Sequence, residues 1–142
     1  MNVSATAGSA FALPFAARGA AFGDLNNDGQ VDVVVAVLDD VPVILKNNGT
    51  KNHWLGISLV GSKSNRSGIG ARVTVTNSIG QKQIQDVSSA GSYLSSNDPR
   101  IVFGLGNAKA VKSVEVRWPS GRVQTVASPA IDRYLRINED AQ

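Results

Sequence analysis

Short runs of alternating apolar and polar residues are the feature that most limits what this chain can fold into. In residues 71–76 and 114–118, every second residue is apolar. Successive side chains of a β-strand point to opposite faces, so this period of two is typical of strands with one buried face. Turn residues interrupt the runs at short intervals, and helical periodicity is nearly absent. The sequence therefore predicts an all-β protein.

The predicted strands divide near residue 50 into an N-terminal segment, residues 1–50, and a larger body, residues 51–142. A body of many short strands without helices favours an antiparallel β-sandwich of jelly-roll type. Trp118 shares the parity of Val114 and Val116, so its ring is expected in the core. The apolar pattern slips by one position between Ile84 and Val87, which indicates a β-bulge. The predicted strands cover residues 20–23, 31–37, 42–45, 54–60, 71–76, 81–88, 101–103, 114–118, 122–126 and 134–137.

Composition excludes several classes of protein. With 142 residues, 42% hydrophobic and 18% charged, the chain has the make-up of an ordinary globular protein of one domain, or one domain plus a fragment. Its net charge of +3 is small and its basic residues are scattered, which argues against nucleic acid as a partner. No apolar run reaches the ~20 residues of a membrane span. There is no cysteine, so disulfides and thiolate sites are excluded.

An acidic loop at residues 24–32 carries a metal-binding pattern. Oxygen-bearing side chains stand at its positions 1, 3, 5 and 9, and Gly29 at position 6 permits a sharp turn. Calcium takes about six to eight oxygen ligands, and this spacing wraps them around one point. An EF-hand needs glutamate at position 12, where this chain has Val35, so the loop is not an EF-hand. The predicted Ca²⁺ ligands are Asp24, Asn26, Asp28 and Asp32 through side chains and Gln30 through its carbonyl oxygen.

The same residues have a simpler interpretation as an Asn/Asp/Gly turn. A turn needs two or three such residues, whereas this loop has four at alternate positions and then enters an apolar strand. We therefore favour calcium over a plain turn. The ion is expected to be structural, because all the oxygens are needed to hold it.

Five motifs in fixed order resemble the ASPIC/UnbV domain, and the segment before them resembles an FG-GAP (VCBS) repeat, the blade unit of integrin-type β-propellers. The FG-GAP resemblance is carried by RGAAFGD at residues 18–24 together with the acidic loop. The ASPIC/UnbV motifs are NHWL at 52–55, SNRSGIGARV at 64–73, GSYLSSND at 91–98, FGLG at 103–106 and VRWPSG at 116–121.

This resemblance implies the C-terminal part of a larger, secreted or surface-exposed protein with an adhesion-like role. It implies a partial propeller blade in residues 1–50 and brings no catalytic residues with it. A blade buries its faces against neighbours, and only one repeat is present here. We therefore expect either a homodimer through residues 1–50, or residues 11–17 folded back over the blade.

No catalytic motif is evident, and the chain is not expected to be an enzyme. The single histidine, His53, has no nucleophile or acid motif beside it and is expected to be structural. Two polar loops and nearby aromatic rings offer a second possibility, a site for a glycan or protein partner, although Arg66 and Asp98 could instead pair and fix the two loops. The candidate ligand-binding residues are Trp54, Arg66, Tyr93, Asn97 and Asp98.

Two classes of function therefore stay open. The first is a non-catalytic, calcium-stabilised extracellular module of adhesion type. The second is a carbohydrate-binding module attached to a larger enzyme or receptor. An aromatic ring lying flat on the surface, from Trp54 or Tyr93, would favour the second class.

Overall fold

The N-terminal segment forms a small antiparallel sheet. The computed structural model describes residues 6–12 and 14–140. After a short 3₁₀ helix, Ser9–Ala12, the chain forms a meander of three strands in the order β1-β2-β3. The three strands are β1 (Ala17–Gly23), β2 (Asp32–Val37) and β3 (Val43–Leu45).

The rest of the chain forms two packed sheets, so the predicted all-β sandwich is confirmed. One sheet has the strand order β10-β4-β7 and the other has the order β6-β5-β8-β9. We call them the three-stranded and the four-stranded sheet. Their strands are β4 (His53–Val60), β5 (Arg72–Asn77), β6 (Lys82–Asp86), β7 (Ile101–Gly106), β8 (Val111–Arg117), β9 (Val123–Ala127) and β10 (Tyr134–Asn138).

The core lies between these two sheets and follows the alternation of the sequence. Leu55 and Phe103 face inward from the three-stranded sheet, and Val73 and Val116 face them from the four-stranded sheet, all without exposed surface. Trp118 is also buried, as its parity predicts, and its indole N–H donates to Gln124 Oε1 at 3.0 Å. The buried ring thus satisfies its single polar group.

One strand pairing departs from the antiparallel prediction. β10 runs parallel to β4, with Arg136 beside Ser58. The chain leaves β9 at the edge of the four-stranded sheet and crosses to the other sheet over residues 128–133 before it enters β10. A crossover of this kind allows a parallel pair, which a tight hairpin cannot.

The predicted bulge between Ile84 and Val87 is wrong. β5 and β6 pair without a register shift from Thr76↔Lys82 to Arg72↔Asp86. Ile84 simply faces solvent, with 60% of its surface exposed. The inward positions before Val87 are instead occupied by Gln83 and Gln85. Because glutamine is polar, a pattern of apolar residues does not reveal these inward positions.

Glutamine amides close both long edges of the sandwich. Gln83 and Gln85 of β6 donate to the carbonyl oxygens of Gly104 and Val102 in β7, at 2.7 and 3.0 Å. On the opposite edge, Gln124 of β9 donates to the Asn138 carbonyl of β10 at 3.1 Å. Each edge strand of the three-stranded sheet thereby gains a partner for backbone groups that have no neighbouring strand.

Glu139 joins three segments just after β10. Its Oε2 accepts the backbone N–H groups of Ser62, Lys63 and Ser64 at 2.8, 2.9 and 2.8 Å. Its Oε1 accepts the hydroxyls of Ser64 and Ser120 at 2.9 and 2.6 Å. Burial acts to raise the pKa of Glu139, but the hydrogen bonds from Ser120, Ser64 and Ser62 outweigh it and lower the pKa to about 2.

We predict that Glu139→Gln removes an acid-sensitive part of the stability. Because the folded pKa of about 2 lies below the ordinary value of 4.5, Glu139 contributes stability that is fully present above pH 4.5. That contribution is lost as the pH falls through the folded pKa. Urea unfolding at a series of pH values should show the variant less stable at pH 7, with a shallower loss of stability between about pH 4.5 and pH 2.

The matched control is Glu115→Gln, which changes the same charge at an exposed position of β8. It should keep the acid dependence of the unsubstituted protein. An unchanged acid dependence in Glu139→Gln would mean that the buried carboxylate does not link these segments.

Candidate metal centre and the surface that holds it

The acidic loop connects β1 to β2 and is framed by two buried carboxylates. Asp24 directly follows β1 and Asp32 begins β2, and each has 2% of its surface exposed. Asp24 accepts the N–H groups of Asp28 and Gly29 at 3.1 and 2.8 Å. The loop is therefore wrapped around a carboxylate that precedes it.

Asp32 closes the loop from its other end. Its Oδ2 accepts the N–H of Leu25 at 3.2 Å, and its Oδ1 accepts the N–H of Asn47 at 2.8 Å. One side chain thus holds the start of the loop and the segment after β3. A buried carboxylate is tolerated here because backbone donors replace its lost water.

The outer part of the loop is exposed and polar. Asp28 accepts the Asn26 side-chain amide at 2.7 Å and the Gln30 backbone N–H at 2.9 Å. The Asn26 bond, then the Gln30 bond, lower the pKa of Asp28. Gly29 has a φ of 82°, in the left-handed region where glycine carries little steric cost.

The donor chemistry of the loop fits a hard cation. All five predicted ligands offer oxygen, and three of them are carboxylates, Asp24, Asp28 and Asp32. Within residues 6–12 and 14–140, however, no three Asp, Glu, His or Cys side chains are grouped around one point. The carboxylates turn toward backbone N–H groups, so an ion would use their other lone pairs.

The loop is docked on the outer face of the three-stranded sheet through Tyr134. The Tyr134 hydroxyl donates to Asp24 Oδ2 at 2.8 Å. Burial, followed by this bond to a carboxylate, raises the pKa of Tyr134 above its ordinary value. The phenol therefore stays protonated and remains a donor.

Arg100 makes a second connection between the loop and the body. It donates to Asn27 Oδ1 at 2.6 Å and to the Asp24 carbonyl at 2.9 Å. Its guanidinium also lies 4.7 Å from the centre of the Tyr134 ring. A cation over an aromatic face is attracted by the ring quadrupole, so Arg100 and Tyr134 support each other.

Glycines allow the two parts of the chain to approach closely. A Cβ on Gly29 would lie 2.1 Å from the Trp54 ring, and one on Gly19 would lie 2.3 Å from the Tyr93 carbonyl oxygen. The Trp54 and Tyr134 rings pack in a T-shaped arrangement, with ring centres 5.4 Å apart. Gly19 of the RGAAFGD motif and Gly29 of the acidic loop thus leave room for the body.

The structure separates the candidate ligand-binding residues. Trp54 is half-buried, and a Cβ on Gly29 would lie 2.1 Å from its ring. Asn97 accepts the Phe22 N–H at 3.0 Å, and Asp98 pairs with Arg100 at 2.8 Å rather than with Arg66. Asn97 and Asp98 therefore hold β1 and Arg100 in place. Arg66 is exposed, and Tyr93 has 69% of its surface exposed.

His53 takes part in a local clamp. Its Nδ1 lies 2.8 Å from Asp132 Oδ2, and the other Asp132 oxygen accepts the Trp54 N–H at 3.1 Å. Asp132 lies in the crossover just before β10, so this pair ties the crossover to the start of β4.

Sequence reasoning missed Tyr134 and Arg100. Tyr134 is 110 positions from Asp24 along the chain, and Arg100 is 76 positions from it. No spacing rule connects residues so far apart. The one available signal was that Arg100 follows the polar motif at residues 91–98.

We predict that Tyr134→Phe loosens the loop from the body. The change leaves the aromatic ring but removes the donor to the buried Asp24 carboxylate. Hydrogen bonds to charged groups contribute about 1.5–3 kcal/mol, so the free energy of unfolding should fall by about that amount. Chemical unfolding measures the loss, and hydrogen exchange should rise in residues 24–32.

Tyr93→Phe is the control, since it removes the same hydroxyl from an exposed side chain. It should change stability by less than about 0.5 kcal/mol. Equal effects of the two variants would contradict a special bond between Tyr134 and Asp24.

Comparison with known proteins places this architecture in a family. The family described as ASPIC and UnbV matches residues 61–142. Over 125 residues the chain is 29% identical to Cartilage acidic protein 1 of Xenopus tropicalis. The matched region covers 84% of this chain and 19% of that protein. The chain thus spans about a fifth of the length of that relative. Since the family match covers more than half of its residues, the chain belongs to the ASPIC and UnbV family.

Proposed function

We propose that this chain is a non-catalytic extracellular binding module of adhesion type, stabilised by calcium and belonging to a larger protein. The observation that carries the proposal is the buried Asp24 carboxylate, which the acidic loop and Tyr134 share. A loop anchored in this way would transmit the stabilising effect of an ion to the body. Asp24, Asn26, Asp28, Gln30 and Asp32 would hold the ion.

Membership of the family and the distant similarity to Cartilage acidic protein 1 support a non-enzymatic, secreted module. From the RGAAFGD motif and the acidic loop, we also propose that the meander is the last FG-GAP repeat of a propeller. In the described part of the chain, no helix is long and apolar enough to cross a membrane. His53 pairs with Asp132 at the start of β4, and we propose a structural role for it.

Carbohydrate binding is the second candidate, and one observation favours it. Tyr93 and its neighbour Leu94 are 69% and 89% exposed at the tip of a polar loop. An exposed aromatic ring can stack on a sugar, so Tyr93 rather than Trp54 would be the stacking residue.

We predict that calcium raises the stability of the folded chain. A ligand that binds only the folded state adds about 2.7 kcal/mol at a hundredfold excess over its dissociation constant. Thermal unfolding with calcium, and with a chelator, measures the shift. Asp28→Asn should lose most of it, because a neutral amide replaces a carboxylate ligand.

Asp39→Asn is the matched control for this experiment. It removes the same charge from an exposed turn position with a φ of 56°, which asparagine accepts well. This variant should keep the full response to calcium. Identical melting curves with calcium and with chelator would refute the metal site.

We also propose that the meander meets a partner, in the simplest case a second copy through residues 1–50. Phe22 and Ile44 on this small sheet expose 45% and 63% of their surface, and Val41, in the turn between β2 and β3, exposes 74%. The fold-back alternative has its own support, because Phe11 lies in a cleft with Val33 and Leu45.

Sedimentation over a range of protein concentrations is expected to show a dimer that dissociates on dilution. Ile44→Ser should weaken it, because it replaces an exposed apolar side chain, whereas Ile79→Ser at a comparably exposed site in the body should not. A monomer at all concentrations would refute the dimer.

A further inference from the structure

A cleft beside the docked loop brings three arginines together. It has a volume of 320 Å³, and its floor is the last part of β4, from Ser58 to Val60. Arg66 and Ser67 line one side, from the loop that follows β4. Arg100, which precedes β7, and Arg136, from β10, line the cleft as well.

Strand register explains how Arg136 reaches this position. Arg136 lies beside Ser58 in the parallel pair of β10 and β4. In β10 it alternates with Leu135, which packs against the core, and Ile137, which is 3% exposed. Arg136 therefore stands on the outer face of the sheet, as does Tyr134, whose ring supports Arg100.

The charges in the cleft are not balanced. Arg100 is neutralised by Asp98 and held by the loop. Arg66 and Arg136 have no ion pair and no side-chain hydrogen bond with any residue that the structure describes. Asp24 and Asp98, the acids that belong to the docked loop and its support, already accept hydrogen bonds from other donors. Two guanidinium groups are thus left with unused donors facing one space.

Guanidinium groups recognise oxyanions with particular geometry. The planar fork of an arginine matches the two oxygens of a carboxylate or sulfate group. The hydroxyls of Ser58 and Ser67, which also line the cleft, can donate to the same ligand or to a neighbouring sugar hydroxyl. Since the cleft is open to solvent, a single small anion would remain largely hydrated and bind weakly. Anionic groups repeated along one molecule would engage Arg66 and Arg136 together.

We propose that this arginine cleft binds the sulfate or carboxylate groups of an acidic polysaccharide. The proposal deepens the proposed function, because it rests on the chain being a binding module and names the class of ligand. It uses a different group of residues from the calcium loop. The calcium experiment measures stability, and the present experiment measures ligand binding. A failure of the calcium site can therefore be distinguished from a failure of the arginine cleft.

The test is a calorimetric titration of the full chain with a sulfated oligosaccharide, carried out at two salt concentrations. We expect saturable binding that weakens as salt rises, because ionic contacts are screened. Arg66→Gln and Arg136→Gln should each weaken binding by about tenfold, the effect of losing one charge-assisted contact. Both side chains are exposed, so the variants should unfold at the same temperature as the unsubstituted protein.

The matched control is the double variant Lys112→Gln, Arg117→Gln. It removes the same two charges from exposed positions of β8, in the other sheet of the sandwich. The control should bind like the unsubstituted protein, while Arg66→Gln, Arg136→Gln should lose nearly all binding. Equal losses in the two double variants would overturn the proposal, because they would show attraction to net charge alone.

Two further ligands distinguish the source of the oxyanion. Inorganic sulfate at the same concentration of sulfate groups should compete weakly. An acidic peptide of equal charge should bind more weakly than the oligosaccharide. Full competition by inorganic sulfate, tighter binding of the peptide, or no binding of the oligosaccharide would each overturn the assignment to an acidic polysaccharide.

Discussion

The hydrogen bonds accepted by the buried Asp24 carboxylate are the interaction on which the arrangement of this chain depends. Asp24 lies at the end of β1, accepts two backbone N–H groups of the acidic loop, and accepts the Tyr134 hydroxyl from β10. A buried carboxylate without these donors would be costly, since burial removes its water. The loop therefore folds around Asp24, and the body completes its set of donors.

The same sheet face carries both features of functional interest. Tyr134 and Arg136 stand on one side of β10, two residues apart, and they serve the acidic loop and the arginine cleft respectively. Arg100 belongs to both, because it binds the loop and lines the cleft. Any ion that stiffens the loop would therefore also hold Arg100 in its place beside the cleft.

The sandwich relies on polar side chains at its open sheet edges and in the loop that follows β4. Gln83, Gln85 and Gln124 donate across the two open edges, and Glu139 gathers the N–H groups of the loop that follows β4. These bonds satisfy backbone groups that would otherwise lack a neighbouring strand. An apolar core bounded in this way leaves the outer faces available for docking and for ligands.

The amino-acid sequence by itself determined the all-β class, the inward parity of Val73, Val116 and Trp118, and the framing of the acidic loop by Asp24 and Asp32. These features are local, because a period of two and a short ligand spacing act over a few residues. Only the tertiary structure decided that β10 runs parallel to β4, that Ile84 faces solvent, and that Tyr134 and Arg100 complete the loop. Those contacts join residues far apart in the chain, where side-chain donors meet only after the sheets have packed.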